Sequence, residues 1–486
     1  MEIIGRKKEL RTLEQMYNSN NPEFLAIYGR RRVGKTFLIR NFFKDKKGIF
    51  FDVTGTKEAS LSEQIEHVTK RIGDIFYNGA RLIAGHNWDK TFEILTEAIV
   101  KTTGNKKIVL FFDEFPWMAT KNSKLLQRLD YYWNQHWSKD KRIKLIICGS
   151  SASWIVEKII NNKGGLHNRL TLEIYLEPFN LCDTKQFLYK QGMKLDNKQI
   201  VQIYMAIGGI PYYLSKLDRK LSAIQNIEKL AFVSKGFLLK EFDNLFASLF
   251  DKHEVYIEVI RTIAKYRYGI GQEELLNNMN KALRGQGGKN LLQALEDTSF
   301  IINFKPHFHK KKGLYYKVID EYTLFYLYWI EPIKDALLER GLARGYWEKK
   351  QSSASWHSWA GYAFEAICYK HLSQIREKLH LSPTALARTW RYIPIKGSKE
   401  QGAQIDLLFD RDDDAITICE IKYTEKPFEL DKQYAKVLMN KVAMFRKITR
   451  VTKQIFIAVI SANGLKPTMY SEELVSGCVS LEDLFK

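Results

Sequence analysis

The chain has few cysteines and no long apolar run. Its five cysteines are an odd number, and no two of them stand in C-x-x-C spacing. This pattern predicts neither a disulfide framework nor a structural zinc site, so we expect a reducing compartment. The first residues lack the apolar core of a signal peptide. The strongest aromatic run, at 322–330, is less than half the roughly 20 residues that a bilayer requires. We therefore expect a cytoplasmic protein with no membrane residence.

Acidic residues are also in short supply. The sequence has 55 Asp and Glu against 76 Lys and Arg, which gives a formal charge of +21 and a pI near 9.4. Such an excess favours a polyanionic partner, with DNA as the expected one. A basic surface that only keeps the protein dissolved would give the same balance, so charge alone does not decide between them. The length of 486 residues predicts about two to four domains.

Residues 29–36 form the most informative motif. They read Gly-Arg-Arg-Arg-Val-Gly-Lys-Thr, between an apolar run at 24–28 and a helical pattern at 37–43, and they fit the phosphate-loop pattern G-x-x-x-x-G-K-[ST]. Backbone N–H groups of such a loop wrap phosphates, and the following helix directs its positive end at them. We predict that Lys35 reaches the β- and γ-phosphates of ATP and that Thr36 holds Mg²⁺. The candidate nucleotide-binding residues of this segment are Gly29, Arg30, Arg31, Arg32, Val33, Gly34, Lys35, Thr36 and Phe37.

Two acids follow the apolar run at 108–112. Such a run is typical of a central parallel strand that is buried on both faces. We predict that Asp113 organises Mg²⁺ and that Glu114 polarises the attacking water. A second buried strand at 145–148 leads to Ser150, which we expect beside the γ-phosphate. The alternation of strands and helices predicts a doubly wound α/β domain.

This half of the chain resembles the archaeal-type ATPase family, at the AAA+ and STAND end of the P-loop ATPases. The likeness is carried by the phosphate loop and by Ile4-Gly5-Arg6, Phe112-Asp113-Glu114-Phe115, Gly149-Ser150-Ser151, Asn168-Arg169-Leu170, Leu176-Glu177-Pro178-Phe179 and Gly208-Gly209-Ile210-Pro211-Tyr212-Tyr213-Leu214. The resemblance implies a helical lid, an arginine finger at Arg169, and a helix that begins at Pro211 close to the nucleotide. A finger used between subunits would require a homo-oligomer.

The middle of the chain has a different pattern. Three short helices are predicted at 255–266, 272–279 and 288–297, followed by a hairpin over 300–318. This order is typical of a winged helix, which offers its third helix to DNA. Basic residues at 307–312, together with Arg284 and Lys289, are suited to phosphate contacts. A winged helix that only packs internally would carry the same lysines.

The C-terminal part predicts a second kind of chemistry. Strands are predicted at 404–409 and 415–423, joined by an acidic turn at 412–414. In an antiparallel hairpin with this turn, Asp406 lies opposite Glu420, and Lys422 shares their face. Facing carboxylates are unfavourable unless a cation intervenes. We predict that Asp406, Glu420 and Glu365 hold Mg²⁺ and that Lys422 orients or activates water for phosphodiester hydrolysis.

These residues resemble the Asp…Glu-x-Lys pattern of the PD-(D/E)xK nuclease superfamily, with Glu365 on the preceding helix. The likeness implies a metal-dependent nuclease domain, although Ile405 replaces the proline of the motif. A hairpin with a cross-strand Asp–Lys pair and no metal remains an alternative. The predicted fold class is therefore multidomain α/β and α+β. Its predicted parts are a P-loop ATPase core (1–180), a helical lid (181–243), a winged helix (244–320), a helical linker (321–355) and a nuclease-like domain (356–486).

Three functions remain open from the sequence. The first is an ATPase coupled to a Mg²⁺-dependent DNA endonuclease. The second is a nucleotide-switched DNA-binding regulator whose nuclease-like domain serves for docking. The third is a STAND-like signalling ATPase with a protein partner.

Overall fold

The computed structural model describes residues 2–161, 166–250, 252–279, 285–306, 313–339, 342, 345–394, 397 and 400–486. The chain divides into two compact units, Met1–Pro178 and Phe179–Lys486. No helix within the described ranges has the length and apolar character needed to span a membrane. Arg284 and the basic segment 307–312, predicted to contact phosphates, lie outside the described residues.

The first unit is built on a five-stranded parallel sheet. Its strands are β1 (Glu23–Tyr28), β2 (Ile49–Thr54), β3 (Ile108–Asp113), β4 (Ile143–Gly149) and β5 (Leu172–Tyr175). Their order across the sheet is β2-β3-β4-β1-β5. Both β3 and β4 are buried along their whole length, as their continuous apolar runs predict. This mixed α/β arrangement is typical of a P-loop ATPase core.

Helices connect the strands of the first unit. They are α1 (Lys7–Asn18), α2 (Lys35–Phe43), α3 (Leu61–Phe76), α4 (Trp88–Lys101), α5 (Phe115–Met118), α6 (Leu125–Gln135) and α7 (Ala152–Ile155). Helix α3 begins at a capping box, in which the Ser60 hydroxyl accepts from the Glu63 N–H and the Glu63 carboxylate accepts from the Ser60 N–H, a pairing that satisfies two end groups at once. The loop between β1 and α2 is the predicted phosphate loop.

The second unit is rich in helices. Through its middle they are α8 (Leu181–Lys190), α9 (Asn197–Ile207), α10 (Pro211–Leu214), α11 (Ala223–Ala231), α12 (Phe237–Leu249), α13 (His253–Ala264), α14 (Gln272–Asn277), α15 (Gln286–Asp297), α16 (Glu321–Phe325), α17 (Lys334–Glu339) and α18 (Tyr346–Gln351). Towards the C-terminus they are α19 (Ala354–Lys370), α20 (Leu372–Lys378), α21 (Lys432–Thr449), α22 (Met469–Leu474) and α23 (Leu481–Leu484).

Helices α13, α14 and α15 accompany a small three-stranded sheet. Its strands are β6 (Ile270–Gly271), β7 (Ile301–Phe304) and β8 (Tyr315–Val318). They lie in the order β6-β8-β7, and both neighbouring pairs are antiparallel. The β7–β8 pair is the hairpin that the sequence predicts, whereas β6, of only two residues, was not predicted.

The C-terminal part contains a mixed sheet of five strands in the order β15-β13-β11-β10-β9. These strands are β9 (Leu386–Tyr392), β10 (Ala403–Asp410), β11 (Ala415–Lys422), β13 (Gln454–Ser461) and β15 (Gly477–Val479). Strands β9, β10 and β11 pair antiparallel, while β11, β13 and β15 pair parallel. Two short strands, β12 (Phe428–Glu429) and β14 (Leu465–Lys466), form a separate parallel pair.

Candidate functional site

The phosphate loop turns through left-handed backbone conformations. Gly29 and Gly34 have φ values of 138° and 95°, which glycine adopts at little cost. Arg32 has a positive φ as well, of 72°. Gly29 is further restricted, because a Cβ atom there would lie 2.5 Å from the Leu176 carbonyl oxygen. The loop therefore depends on glycine at position 29 for both conformation and space.

Lys35 is almost fully buried in this loop, at 5% relative exposure. Its Nζ donates to the carbonyl oxygens of Gly29 at 2.8 Å and Arg30 at 3.0 Å. Burial lowers the pKa of Lys35, and the carboxylates of Glu114 and Asp113 act in the opposite direction. The ammonium group is thus held at the loop, where a phosphate would be its stronger partner.

Thr36 and Asp113 meet at the start of α2. The Thr36 hydroxyl lies 2.9 and 3.0 Å from the two carboxylate oxygens of Asp113, and Asp113 is buried. A hydroxyl and a carboxylate beside a phosphate loop are the oxygen donors that Mg²⁺ takes in this type of site. The residues present therefore fit both ATP and its metal ion.

Glu114 is engaged by the tip of the next strand. Its Oε2 accepts from the Ser150 N–H at 3.0 Å and from the Ser150 hydroxyl at 2.8 Å. Glu114 itself has φ 46°, and its N–H donates to the Asp113 carboxylate at 3.1 Å. Direct hydrogen bonds thus connect Thr36, Asp113, Glu114 and Ser150. Lys35 precedes Thr36 and is held by the loop carbonyls.

Two other predicted residues are placed differently. Arg169 lies in the short turn His167–Arg169 and pairs with Asp130 at 4.0 Å, with 43% of its side chain exposed. Pro211 is the first residue of α10, in the second unit. The roles of Arg169 as a finger and of Pro211 as a nucleotide neighbour stay predictions.

Arg6 supports the loop in a way that sequence reasoning missed. Its guanidinium donates to the Val33 carbonyl at 3.1 Å and to the Glu177 carbonyl at 2.7 Å, and the residue is buried. Gly5 and Arg6 both have positive φ just before α1. The glycine signals a turn in the sequence, but nothing in the sequence indicates the partners of Arg6.

The second group of residues surrounds a cavity of about 410 Å³ in the C-terminal part. All four predicted side chains, Glu365, Asp406, Glu420 and Lys422, line it. The cavity is also lined by Arg267, Tyr268, His357, Ser358, Gly361, Gln404, Ile421, Tyr423, Tyr434 and Lys441. Helix α19 supplies Glu365, strand β10 supplies Asp406, and strand β11 supplies Glu420 and Lys422.

The predicted hairpin positions two of the carboxylates. Leu407 pairs with Cys419 in the β10–β11 ladder, so Asp406 and Glu420 occupy the next position. The Arg411 N–H donates to the Ala415 carbonyl at 3.0 Å, which leaves the three-residue loop 412–414 that the sequence predicts. Against β9, however, the register shifts between Ile405 and Leu408, an irregularity of the kind found beside functional sites.

Glu420 is buried at 3% exposure among cationic partners. Lys422 Nζ lies 2.9 Å from its Oε1, Lys441 Nζ lies 2.7 Å from its Oε2, and the Tyr434 hydroxyl donates to Oε1. Burial acts to raise the pKa of Glu420, but Lys441 and Lys422 outweigh it and keep the pKa below its usual value.

Glu365 has its own cations, from the α13–β8 region. Arg267 donates to Oε1 at 2.9 Å, and Lys317 Nζ lies 3.8 Å from Oε2. Burial raises the pKa of Glu365, and the negative charge of Asp406 raises it further. The protonation of Glu365 therefore depends on the charge of Asp406. Asp406 in turn accepts a hydrogen bond from the Gln404 amide.

A metal ion in this cavity would have few protein ligands. Among the residues that the structure describes, no group of three or more His, Cys, Asp or Glu side chains is arranged to hold a metal ion. Asp406 and Glu420, as cross-strand neighbours, have the carboxylate chemistry that a divalent ion needs. They fit the ion once it replaces the lysine partners of Glu420.

Comparisons with known proteins match the two halves of the chain separately. Residues 3–217 match a family described as an ATPase domain predominantly from Archaea, and residues 326–438 match a family of archaeal and bacterial proteins of unknown function. An uncharacterized protein of Methanocaldococcus jannaschii is 27% identical over 429 residues, which cover 87% of this chain and 88% of that protein. An uncharacterized ATP-binding protein of the same organism is 50% identical over 45 residues, 9% of this chain and 76% of its own length.

Two solved structures are similar to the chain at lower identity. A Walker-type ATPase of Pyrococcus abyssi aligns with a TM-score of 0.46 and 19% identity, over 67% of this chain and 96% of that one. The ORC2 protein of Aeropyrum pernix, in ADPNP and ADP complexes, aligns with a TM-score of 0.41 and 15% identity, over 70% and 95%.

Proposed function

We propose that this chain couples ATP hydrolysis in its first unit to cleavage of a nucleic-acid backbone in its second. The ATPase half is supported by the match of residues 3–217 to a family of ATPase domains found predominantly in Archaea. The nuclease part of this proposal depends on one observation, which is that the four predicted residues line the same cavity. Glu365, Asp406, Glu420 and Lys422 come from a helix and two strands, yet they line one space of about 410 Å³. Acids and a lysine gathered in this way are suited to phosphodiester hydrolysis.

In the first unit, each residue has a separate task. Lys35 exchanges the Gly29 and Arg30 carbonyls for the phosphates of ATP, a charge-assisted contact. Thr36 and Asp113 would hold Mg²⁺, which would neutralise charge on the phosphates. Glu114 orients the attacking water after it exchanges its hydrogen bonds to Ser150, whose hydroxyl is then free to contact the γ-phosphate.

In the second unit, Asp406 and Glu420 hold the divalent ion, with Glu365 beside them. When bound, the ion would supply Lewis-acid chemistry at a phosphodiester. Lys422 would orient the attacking water and stabilise the negative charge that develops on the phosphate. Lys422 is held in place by its ring contact with Tyr434, with Nζ 4.6 Å from the ring centroid.

DNA is the proposed substrate. The net charge of +21 favours a polyanion, and the arrangement of α13, α14 and α15 with the β6-β8-β7 sheet supports a winged helix. Arg267, just after α13, lines the cavity. In this proposal a duplex held by the winged helix therefore has its backbone close to the acidic residues.

A second candidate function is favoured by the charge pairing. Both Glu365 and Glu420 already have cationic partners in the protein alone, as in a hairpin that uses its ion pairs for packing. In that case the chain is a nucleotide-switched regulator that binds DNA without cutting it.

The deciding experiment incubates the full chain with supercoiled plasmid, linear duplex and single-stranded DNA. Mg²⁺ or Mn²⁺ is supplied, with and without ATP, beside Glu420→Gln and Asp406→Asn. Glu472→Gln is the matched control, because Glu472 is an exposed carboxylate of the same unit. The nuclease proposal expects nicking by the wild type and by the control, and none by the two cavity variants.

Other results would identify the alternatives. Equal nicking by wild type and Glu420→Gln would assign the cutting to a contaminant and refute the proposal. No nicking, together with ATP hydrolysis that DNA stimulates, would support the regulator. ATP turnover that DNA leaves unchanged would instead favour a protein partner.

A further inference from the structure

Glu420 is bound by two lysines from different elements. Lys422 belongs to the same strand, whereas Lys441 lies on α21 and reaches the other carboxylate oxygen at 2.7 Å. The Lys441 side chain is only 16% exposed, and no sequence motif points to it. Tyr434, from the same helix, also donates to Glu420. Helix α21 therefore presents both a cation and a hydroxyl to the cavity.

The formal charges of the side chains that line the cavity cancel without a metal ion. Among the residues that the structure describes, the lining has three cationic side chains, Arg267, Lys422 and Lys441, and three carboxylates, Glu365, Asp406 and Glu420, and Lys317 adds a positive charge 3.8 Å from Glu365. A divalent ion added to this set leaves at least two uncompensated positive charges, which in a partly buried space repel one another. A phosphodiester, which is an anion, relieves that repulsion. Metal and phosphate should therefore each favour the binding of the other.

We infer that Lys441 is a phosphodiester-binding residue of this cavity. In the protein alone it neutralises Glu420, and when a divalent ion takes that carboxylate the Lys441 ammonium turns to a backbone phosphate. A lysine suits this exchange, because its charge sits on a flexible four-carbon chain with three rotatable donors. The inference rests on the proposed function, since it assumes that the ion binds Asp406 and Glu420.

The inference predicts that the binding of the metal ion and the binding of DNA are coupled, and two titrations measure this coupling. Mn²⁺ binding to the full chain without nucleotide is followed by calorimetry, with and without a short phosphorothioate duplex, and the Asp406→Asn variant supplies the background from other sites. In the wild type, the duplex should tighten Mn²⁺ binding. By linkage, Mn²⁺ should tighten duplex binding by the same factor.

Lys441→Met should have opposite effects on the two ligands. Without DNA it removes the competitor for Glu420, so Mn²⁺ should bind roughly threefold to tenfold more tightly, the size expected for one charge near a divalent ion in a water-like medium. With Mn²⁺ present, the duplex should bind about tenfold more weakly than it binds the wild type, and the coupling should fall accordingly. Lys441→Arg should retain the wild-type coupling. Lys441→Gln is the second neutral variant, for use if Lys441→Met does not fold.

Lys436→Met is the matched control, because Lys436 is exposed on the same helix. The inference is overturned if Lys441→Met behaves like this control in both titrations. It is also overturned if the Met variant binds Mn²⁺ more weakly without DNA, as the loss of a purely structural ion pair would cause. A wild type that binds no more Mn²⁺ than Asp406→Asn would instead refute the proposed metal site, and the inference with it.

Discussion

His371 should make the second unit sensitive to mild acid. The residue lies between α19 and α20 and is fully buried. Its Nε2 accepts from the Leu181 N–H at 3.1 Å, and its Nδ1 lies 2.8 Å from the Ile367 carbonyl oxygen. Both contacts are satisfied by a neutral ring with its proton on Nδ1. Burial lowers the pKa of His371 to about 4.

The size of the effect follows from that shift. The folded pKa lies about 2.5 below the ordinary value of 6.5, and each unit corresponds to about 1.4 kcal/mol. Between these two values the unfolded chain binds a proton that the folded protein does not. The free energy of unfolding therefore has its full value above pH 6.5. It decreases as the pH falls towards 4, and the loss due to His371 is about 3 kcal/mol at pH 4.

The assay compares wild type with His371→Gln, which has an acceptor and a donor but does not titrate. Urea unfolding of each protein is measured from pH 7 to pH 4, together with hydrogen exchange of the Leu181 amide as a local probe. The variant should lose less stability over this window, because the carboxylates that also titrate are common to both proteins. Parallel loss of stability in the two proteins would refute the reasoning.

Three further predictions concern single side chains. Lys35→Ala should weaken binding of a fluorescent ATP analogue at least about tenfold, because charged hydrogen bonds are lost, and unchanged affinity would contradict the loop assignment. Glu114→Gln should bind ATP but hydrolyse it about a hundredfold more slowly in a phosphate-release assay, whereas normal turnover would remove Glu114 from the reaction. Gly209→Ala should destabilise the second unit by more than about 3 kcal/mol, because the new Cβ would lie 1.8 Å from the Phe179 carbonyl oxygen. Gly287→Ala, in open space on α15, should not destabilise it in the same thermal melt.

The residues of the candidate nucleotide site could be grouped from the sequence because most of them are local in it. The loop residues, Lys35 and Thr36 are contiguous, and the run before Asp113 and Glu114 identifies a buried strand whose end must meet them. Ser150 follows from the same argument on the next strand. Arg6 could not be placed, since its partners Val33 and Glu177 are brought to it only by the folded unit.

The cavity was predicted only in part for a similar reason. The alternation of strand residues gave the Asp406 and Glu420 pair, because cross-strand register needs only the turn length. Lys441 is on a separate helix, and Arg267 is far earlier in the chain, so no spacing rule connects either to Glu420 or Glu365. Strand β15 was missed as well, since its three residues are too short for a periodic pattern.

The Arg6 contacts connect the phosphate loop to the last residues of the first unit. One guanidinium joins Val33 in the phosphate loop to Glu177, and Glu177 is followed by Pro178, the last residue of the first unit. Gly29, at the other end of the loop, packs against Leu176. The segment 176–178, where the first unit ends, is therefore held to the phosphate loop at two points. We expect the hydrogen exchange of this segment to change when the loop binds or loses phosphate.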